Sequence, residues 1–211
     1  MGFSVSQLTI LEHPLITHKL AILRNKQTSP ADFKATLSTL TALMSHDVLA
    51  HLKTQDVTIT TPLETMTTKM LASAPVIVSI LRAGNGMADD VFAIINEASM
   101  AHIGMQRDPV THEPIFYYEK YPQDIAERQN ILVDPMLATG GSAIEAASRL
   151  KKLGVTDIIF TCLVASPEGV EAFTKAHPDI KIITAALDRE LDENCYILPG
   201  LGDAGDRIFN T

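Results

Sequence analysis

Residues 131–143, ILVDPMLATGGSA, set an aspartate and a turn rich in glycine and hydroxyls between an apolar run and a helix-like stretch from Ile144 to Leu153. Gly140 and Gly141 permit a turn with positive φ and present bare backbone N–H groups, while Thr139 and Ser142 add hydroxyl donors at the positive end of the following helix dipole. Such an array suits a phosphate monoester. Asp134 is an acceptor, wrong for a phosphate but right for the hydroxyls of a sugar that carries one, so the run reads as a ribose 5-phosphate cradle. An ordinary strand-to-helix turn is the competing reading. Arg82 and Arg107 each follow a predicted strand, and paired guanidinium groups at neighbouring strand ends suit an anion with several oxygens. A surface arginine and a simple turn at Gly84 are the alternative for the first of these.

The elements that must position these residues follow from the apolar patterning. Pro75 to Leu81, PVIVSIL, is continuously apolar, as a parallel strand covered on both faces should be, and it delivers Arg82 and Gly84 to the edge where α/β sheets bind ligands, before a helix over Met87 to Ala98. Met100 to Met105 is a further short strand that delivers Arg107 to the same edge. Asp157 to Ala165 and Lys181 to Leu187 are two more strands, and Ser166-Pro167-Glu168 between them carries a helix cap, a first-turn proline and an early acid. Alternation of strand and helix implies an α/β fold, a parallel sheet flanked by helices with right-handed crossovers.

Other stretches sit around that core. Leu15, Ile16, Leu20, Ile22 and Leu23 fall near helical spacing, with Lys19 and Arg24 off that face, so an amphipathic first helix follows His13-Pro14. Ser29-Pro30 with Asp32 starts a long helix that runs to about Leu52. His46 and His51 within it are off a common face, which disfavours a shared metal. Asp56 to Met70 alternates around a Thr-Pro break and reads as a β hairpin at the sheet edge or in a small hood. Asp108 to Gln123, with Phe116, Tyr117, Tyr118 and Tyr121, reads as a hairpin arm or lid, or as a dimer contact. Tyr196 to Arg207 is rich in glycine and aspartate and reads as a rigid loop that shapes a pocket.

With 211 residues and 46% hydrophobic content, the chain is long enough for one well-buried domain spanning residues 1–211. Its formal net charge of −8 argues against a partner that is a nucleic acid. Cys162 and Cys195 lack the spacing of a zinc site or redox dithiol and are expected to be reduced core residues. The first residues lack a basic start and apolar h-region, and no apolar run is of membrane-spanning length, so a cytoplasmic protein without membrane attachment is expected.

The segment DPMLATGGSA resembles the phosphoribosyl-diphosphate motif of the type I phosphoribosyltransferases, and Asp134-Pro135 within it resembles the uracil phosphoribosyltransferase family in particular. HPLITHKL at His13 to Leu20, ILRAGNGM at Ile80 to Met87 and YILPGLGDAGDR at Tyr196 to Arg207 resemble that family in the same order, so the likeness covers nearly the whole chain. It implies transfer of a phosphoribosyl group from 5-phospho-α-D-ribose 1-diphosphate to uracil, giving UMP and diphosphate, with Mg²⁺ as cofactor.

By the same resemblance the donor is bound by Arg82, Arg107, Asp134, Pro135, Met136, Leu137, Ala138, Thr139, Gly140, Gly141, Ser142 and Asp203. Uracil is bound by Ile197, Gly202, Asp203 and Ala204, largely through backbone atoms, and Asp134, Arg107 and Asp203 are the catalytic candidates. No metal-ligating residue is singled out. A homodimer or higher homo-oligomer is expected, and GTP enters as a candidate activator. Asn85 stands where the family usually has an apolar residue and Gln106 where it often has an aromatic one. Two rivals remain: a uracil-nucleotide sensor that binds RNA, against which the net charge counts, and an enzyme of the same fold with a purine or orotate, for which Arg207 is the nearest extra cation.

Overall fold

The computed structural model describes residues 7–107 and 114–211. In chain order, β1 (Leu8–Ile10), α1 (Pro14–Arg24) and α2 (Pro30–Leu49) precede a hairpin of β2 (Thr54–Thr60) and β3 (Thr65–Leu71). Then come β4 (Val76–Leu81), α3 (Asn85–Ile94), β5 (Ser99–Arg107), β6 (Pro114–Lys120), β7 (Asn130–Val133), β8 (Met136–Leu137) and α4 (Gly141–Lys152). The chain closes with β9 (Ile158–Ala165), α5 (Pro167–Ala176), β10 (Lys181–Leu187), β11 (Glu190–Leu191), β12 (Ile197–Leu198) and α6 (Ala204–Phe209).

The main sheet runs β1-β10-β9-β7-β4-β5-β6, with β8 also on β9. All of its pairings are parallel except that of β6 on β5. Alternation along each strand explains the unbroken apolar runs. Ile77, Ile131 and Ile183 face one way, against Leu23, Phe33, Leu37, Met44 and Met87. Val78, Leu132 and Ile182, one residue along, face the other way, against Ala146, Leu150, Phe160 and Phe173. The strand interiors are therefore dry on both faces, and polar chemistry is left to their carboxyl ends.

The helix starts follow their capping chemistry. Ser29 Oγ accepts from Asp32 N–H at 3.1 Å and donates to Asp32 Oδ2 at 2.7 Å. Ser166 Oγ accepts from Gly169 N–H at 2.9 Å and donates to the Ala138 carbonyl at 2.6 Å, so the cap of α5 also grips the turn after β8. On the far side of α4, Arg149 Nε donates to Glu119 Oε2 at 2.5 Å and its guanidinium lies 4.5 Å from the Phe116 ring centroid, tying that helix to the edge strand β6. The Arg149 hydrogen bond and the Tyr121 hydroxyl hold the Glu119 carboxyl at about 2, well below the usual carboxylate range.

Several expectations are corrected. The strand β1 was not foreseen: it adds in parallel to the outer edge of β10, with Leu8 opposite Ile182. Of the two placements left open for Asp56 to Met70, the β2–β3 hairpin takes the one off the main sheet, as a two-stranded sheet of its own. The arm expected over 108–123 contains β6, an antiparallel edge strand, while 108–113 lie outside the described residues. Cys162 is buried, and burial raises its thiol to about 12, but Cys195 is exposed, because it sits in the polar turn of the β11–β12 hairpin. Arg24, off the apolar face of α1 as expected, pairs with Asp188 at 2.5 Å.

Candidate active site

One cleft of about 350 Å³ opens at the carboxyl ends of the central strands. That size is within the range of small-molecule sites. It is lined by Asp134, by Met136, Leu137, Ala138 and 140–143 from the β8–α4 turn, by 194–197 from the β11–β12 hairpin, by 202–205 at the start of α6, and by Ala83. Segments far apart in sequence thus meet on the edge that the apolar strands project to.

The β8–α4 turn opens an uncapped helix start, an arrangement that can accept an anion. Gly140, the N-cap of α4, has φ +83 and no capping side chain, a backbone conformation that a residue with a Cβ rarely adopts. The first amides of a helix have no intrahelical acceptor, and Gly141, Ser142 and Ala143 line the cleft, with Gly141 N–H in a long 3.5 Å contact to Thr139 Oγ1. The α4 macrodipole adds its positive end there. Behind the turn, α5 approaches so closely that a Cβ on Gly169 would lie 2.2 Å from the Ala138 carbonyl oxygen and 2.7 Å from that of Leu137.

Gly169→Ala is therefore expected to displace the turn, at about 1–3 kcal/mol of stability, the usual scale for overpacking. A lowered Tm together with a weakened affinity for a phosphate-bearing ligand is the expected outcome. Wild-type values for both would contradict the packing role.

Asp134 follows β7, where its N–H donates to the Thr161 carbonyl at 3.2 Å, and its side chain lines the cleft half-buried. The second wall is the β11–β12 turn and α6. Asp192 Oδ1 accepts from Asn194 N–H at 2.9 Å and from Tyr196 N–H at 2.8 Å, which fixes the turn that carries Asn194, Cys195 and Tyr196. Asp203 caps α6, its Oδ1 accepting from Asp206 N–H at 3.0 Å. Ala204 and Gly205, the first residues of that helix, line the cleft, and first-turn amides have no acceptor within a helix.

Of the residues singled out from the sequence, the cleft gathers Asp134, Met136, Leu137, Ala138, Gly140, Gly141, Ser142, Ile197, Gly202, Asp203 and Ala204. Pro135 is buried beside it, and its carbonyl accepts from Leu163 and Val164 N–H at 2.9 and 3.2 Å, stitching the motif to β9. Thr139 contributes its hydroxyl to the α4 start without lining the wall.

Arg82 lies outside the cleft wall, exposed, with Nη2 3.7 Å from Asp206 Oδ1 and its guanidinium 5.8 Å from the Phe209 ring centroid. Arg107 ends β5, and its side chain, like that of Gln106, is outside the described residues. Asn85 is the first residue of α3, and its Oδ1 accepts from the buried Ser79 hydroxyl at 2.7 Å, which gives a polar residue there a polar partner.

Ala83, Ala143, Asn194, Cys195, Tyr196 and Gly205 also line the cleft and were not among the expected site residues. The Asp192-Glu193-Asn194 run was the available signal for a turn at that wall. Arg207 is engaged elsewhere: it donates to the carbonyls of Leu23, Leu201 at 2.8 Å and Asn25 at 2.8 Å, with its guanidinium 4.3 Å from the Phe33 ring centroid. It does not line the cleft, which removes the cation that an orotate carboxylate would need.

Comparison with known proteins gives this geometry a family. The sequence profile described as "Uracil phosphoribosyltransferase" matches residues 10–211. The chain is 51% identical to the uracil phosphoribosyltransferase of Staphylococcus epidermidis and 50% identical to that of Delftia acidovorans, each over 98% of this chain and all of the relative. A solved protein of Aquifex aeolicus superposes with TM-score 0.90 at 28% identity, covering 96% of this chain and 97% of that one. A hypoxanthine-guanine phosphoribosyltransferase from Bacillus anthracis, 10% identical with TM-score 0.51 over 75% of this chain and 80% of its own, shares the fold. A profile match over nearly the full length, together with relatives at half identity, shows that the chain belongs to the uracil phosphoribosyltransferase family.

Proposed function

We propose that the chain, acting as one phosphoribosyltransferase domain, transfers the phosphoribosyl group of 5-phospho-α-D-ribose 1-diphosphate to N1 of uracil, giving UMP and diphosphate. The observation that carries this reading is the cleft in which Asp134 and the uncapped start of α4 meet Ile197 and residues 202–205, in a chain of this family. The bond from C1′ to the diphosphate oxygen breaks, the bond from N1 to C1′ forms, and the N1 proton leaves. As diphosphate departs, C1′ becomes oxocarbenium-like.

Each wall has a part in that step. The amides of 141–143 and the Ser142 hydroxyl hold the 5-phosphate, a handle remote from C1′ whose binding energy serves orientation. Asp134 grips the ribose hydroxyls and faces the positive charge that develops on the sugar. Arg82, from the loop after β4, and Arg107, at the end of β5, are assigned to the leaving diphosphate. The backbone of Ile197, Gly202 and Ala204 reads the base, and Asp203 assists departure of the N1 proton.

Magnesium fits this donor set in a particular way. Two carboxylates, Asp134 and Asp203, line the cleft, and no group of three or more His, Cys, Asp or Glu able to hold a metal occurs among the described residues. A hard cation would then take most of its oxygens from the donor's phosphates and from water, with Asp203 as the nearest protein candidate. When bound, it neutralises charge on the leaving diphosphate.

A cytoplasmic setting is proposed as well. Among the described residues no helix is long and apolar enough to cross a membrane, and the net charge of −8 disfavours nucleic acid as a partner. Work as a homodimer or higher homo-oligomer is supported by the apolar side chains that the β2–β3 hairpin exposes, Ile59, Met66, Met70 and Leu71. Activation by GTP rests on the family likeness alone.

Arg82→Ala and Arg107→Ala are expected to weaken donor or diphosphate binding by about tenfold or more, the scale of a lost charge-assisted hydrogen bond, with little change in uracil affinity. Calorimetry with diphosphate checks this. Unchanged affinity in both variants would misplace the leaving-group site.

A further inference from the structure

The loop assigned to the base is tied to the first helix by an ion pair whose residues do not line the cleft. Arg24, the last residue of α1, donates from Nη1 to Asp188 Oδ2 at 2.7 Å and from Nη2 to Asp188 Oδ1 at 2.5 Å, a bidentate pairing. The same Nη1 donates to the Gly200 carbonyl at 2.7 Å, and Asp188 Oδ2 accepts from Gly200 N–H at 2.8 Å. Both polar groups of one peptide residue are thus held by one ion pair. Asp188 is in turn fixed to the sheet, its N–H donating to the Ala165 carbonyl at 2.8 Å.

Gly200 is a sensitive place to hold. Its φ is +59, and the turn is so tight that a Cβ there would lie 2.1 Å from the Ile197 carbonyl oxygen. Ile197 and Gly202, on either side of it, both line the cleft, whereas Arg24, Asp188 and Gly200 do not. The side chain of Asp188 is 5% exposed and that of Arg24 23%, so the pair is largely withdrawn from water. A pair of that kind contributes little net stability beyond what well-packed apolar groups would give, but it can demand one arrangement of its partners.

We propose that Arg24 and Asp188 are positioning residues for base recognition: by fixing Gly200 they set the Ile197–Gly202 turn in the geometry that reads the edge of the pyrimidine. The inference rests on the assignment of that turn to uracil made above. Neither residue contacts substrate. Their effect is on where backbone donors and acceptors stand, and a misplacement of about an ångström costs on the order of a hundredfold in an oriented site.

The test uses the full chain in three forms: Asp188→Asn, Arg24→Lys, and the apolar double variant Arg24→Met with Asp188→Leu. Tm, kcat, KM for uracil and for the donor, and the ratio of kcat/KM for uracil over cytosine are measured for each. The expected result is a rise in KM for uracil and a fall in the selectivity ratio, each on the order of 10- to 100-fold, with KM for the donor within about twofold. The double variant regains Tm without regaining either uracil parameter, because apolar packing replaces the stability of the pair and not its hold on Gly200. Uracil KM and selectivity at wild-type values in the double variant, or an equal rise of both KM values that tracks loss of Tm, would overturn the proposal. Wild-type turnover of uracil is recorded alongside: its absence would overturn the reading of the cleft itself, whereas turnover with unsplit variants overturns only the positioning role.

Discussion

Cytosine is expected to be used on the order of 10⁴-fold less efficiently than uracil, a difference of about 5.5 kcal/mol at the transition state. Uracil offers an acceptor, a donor and an acceptor along O4, N3–H and O2, and cytosine reverses the first two. The cleft wall assigned to this edge includes Ile197 and, at the start of α6, Gly202 to Gly205, whose backbone groups are proposed to read it. Backbone groups cannot change from donor to acceptor, and Gly200 holds the turn without room for adjustment. Cytosine would set a donor against an N–H and a lone pair against a carbonyl, leaving buried groups unpaired on both sides. 5-Fluorouracil keeps the uracil edge and is expected to be a substrate. Competition between the bases with purified enzyme measures the ratio; comparable specificity constants would show that this wall does not read the base.

Asp134→Asn is expected to lower kcat by on the order of 10²- to 10³-fold, the scale of losing one electrostatic contact aimed at developing charge. The amide keeps the shape of the carboxylate and loses its charge, so the ribose hydroxyls lose a strong acceptor and the oxocarbenium-like sugar loses a facing anion. Asp134 lies half-buried at the end of β7 on the cleft wall, and the amide keeps its volume there, so the substitution leaves no cavity around it. Steady-state kinetics together with thermal melting separates the two effects. Wild-type kcat would refute the role, and a collapse of Tm would make Asp134 a structural residue.

The central strands and the α4 turn were legible because their signals are local. A continuous apolar run, an aspartate and a glycine pair lie within residues 131–143, and the structure forms a strand, a turn and a helix start there and brings most of these residues to one cleft. The strand β1 was not legible, since three residues paired in parallel to a distant strand carry no periodic pattern of their own. The helix α6 was hidden by Gly205 in its first turn, although the Asp203-to-Asp206 spacing was a usable cap signal. Arg24 and Asp188 lie 164 residues apart, and their pairing was not legible because nothing local to Arg24 names its partner. Arg207 looked available to a ligand for the same reason. Its acceptors are backbone carbonyls, which any sequence supplies.

The most direct measurement follows product formation when the enzyme is given 5-phospho-α-D-ribose 1-diphosphate, Mg²⁺ and, in parallel reactions, uracil, orotate or hypoxanthine. The cleft described here, with a phosphate cradle at α4, Asp134 beside it, a backbone wall for the base and Arg207 engaged with carbonyls away from the site, predicts that uracil is converted to UMP with one diphosphate released per base consumed. Orotate and hypoxanthine are predicted to remain unchanged. No UMP from uracil, or efficient transfer to orotate or hypoxanthine in its place, would contradict the account.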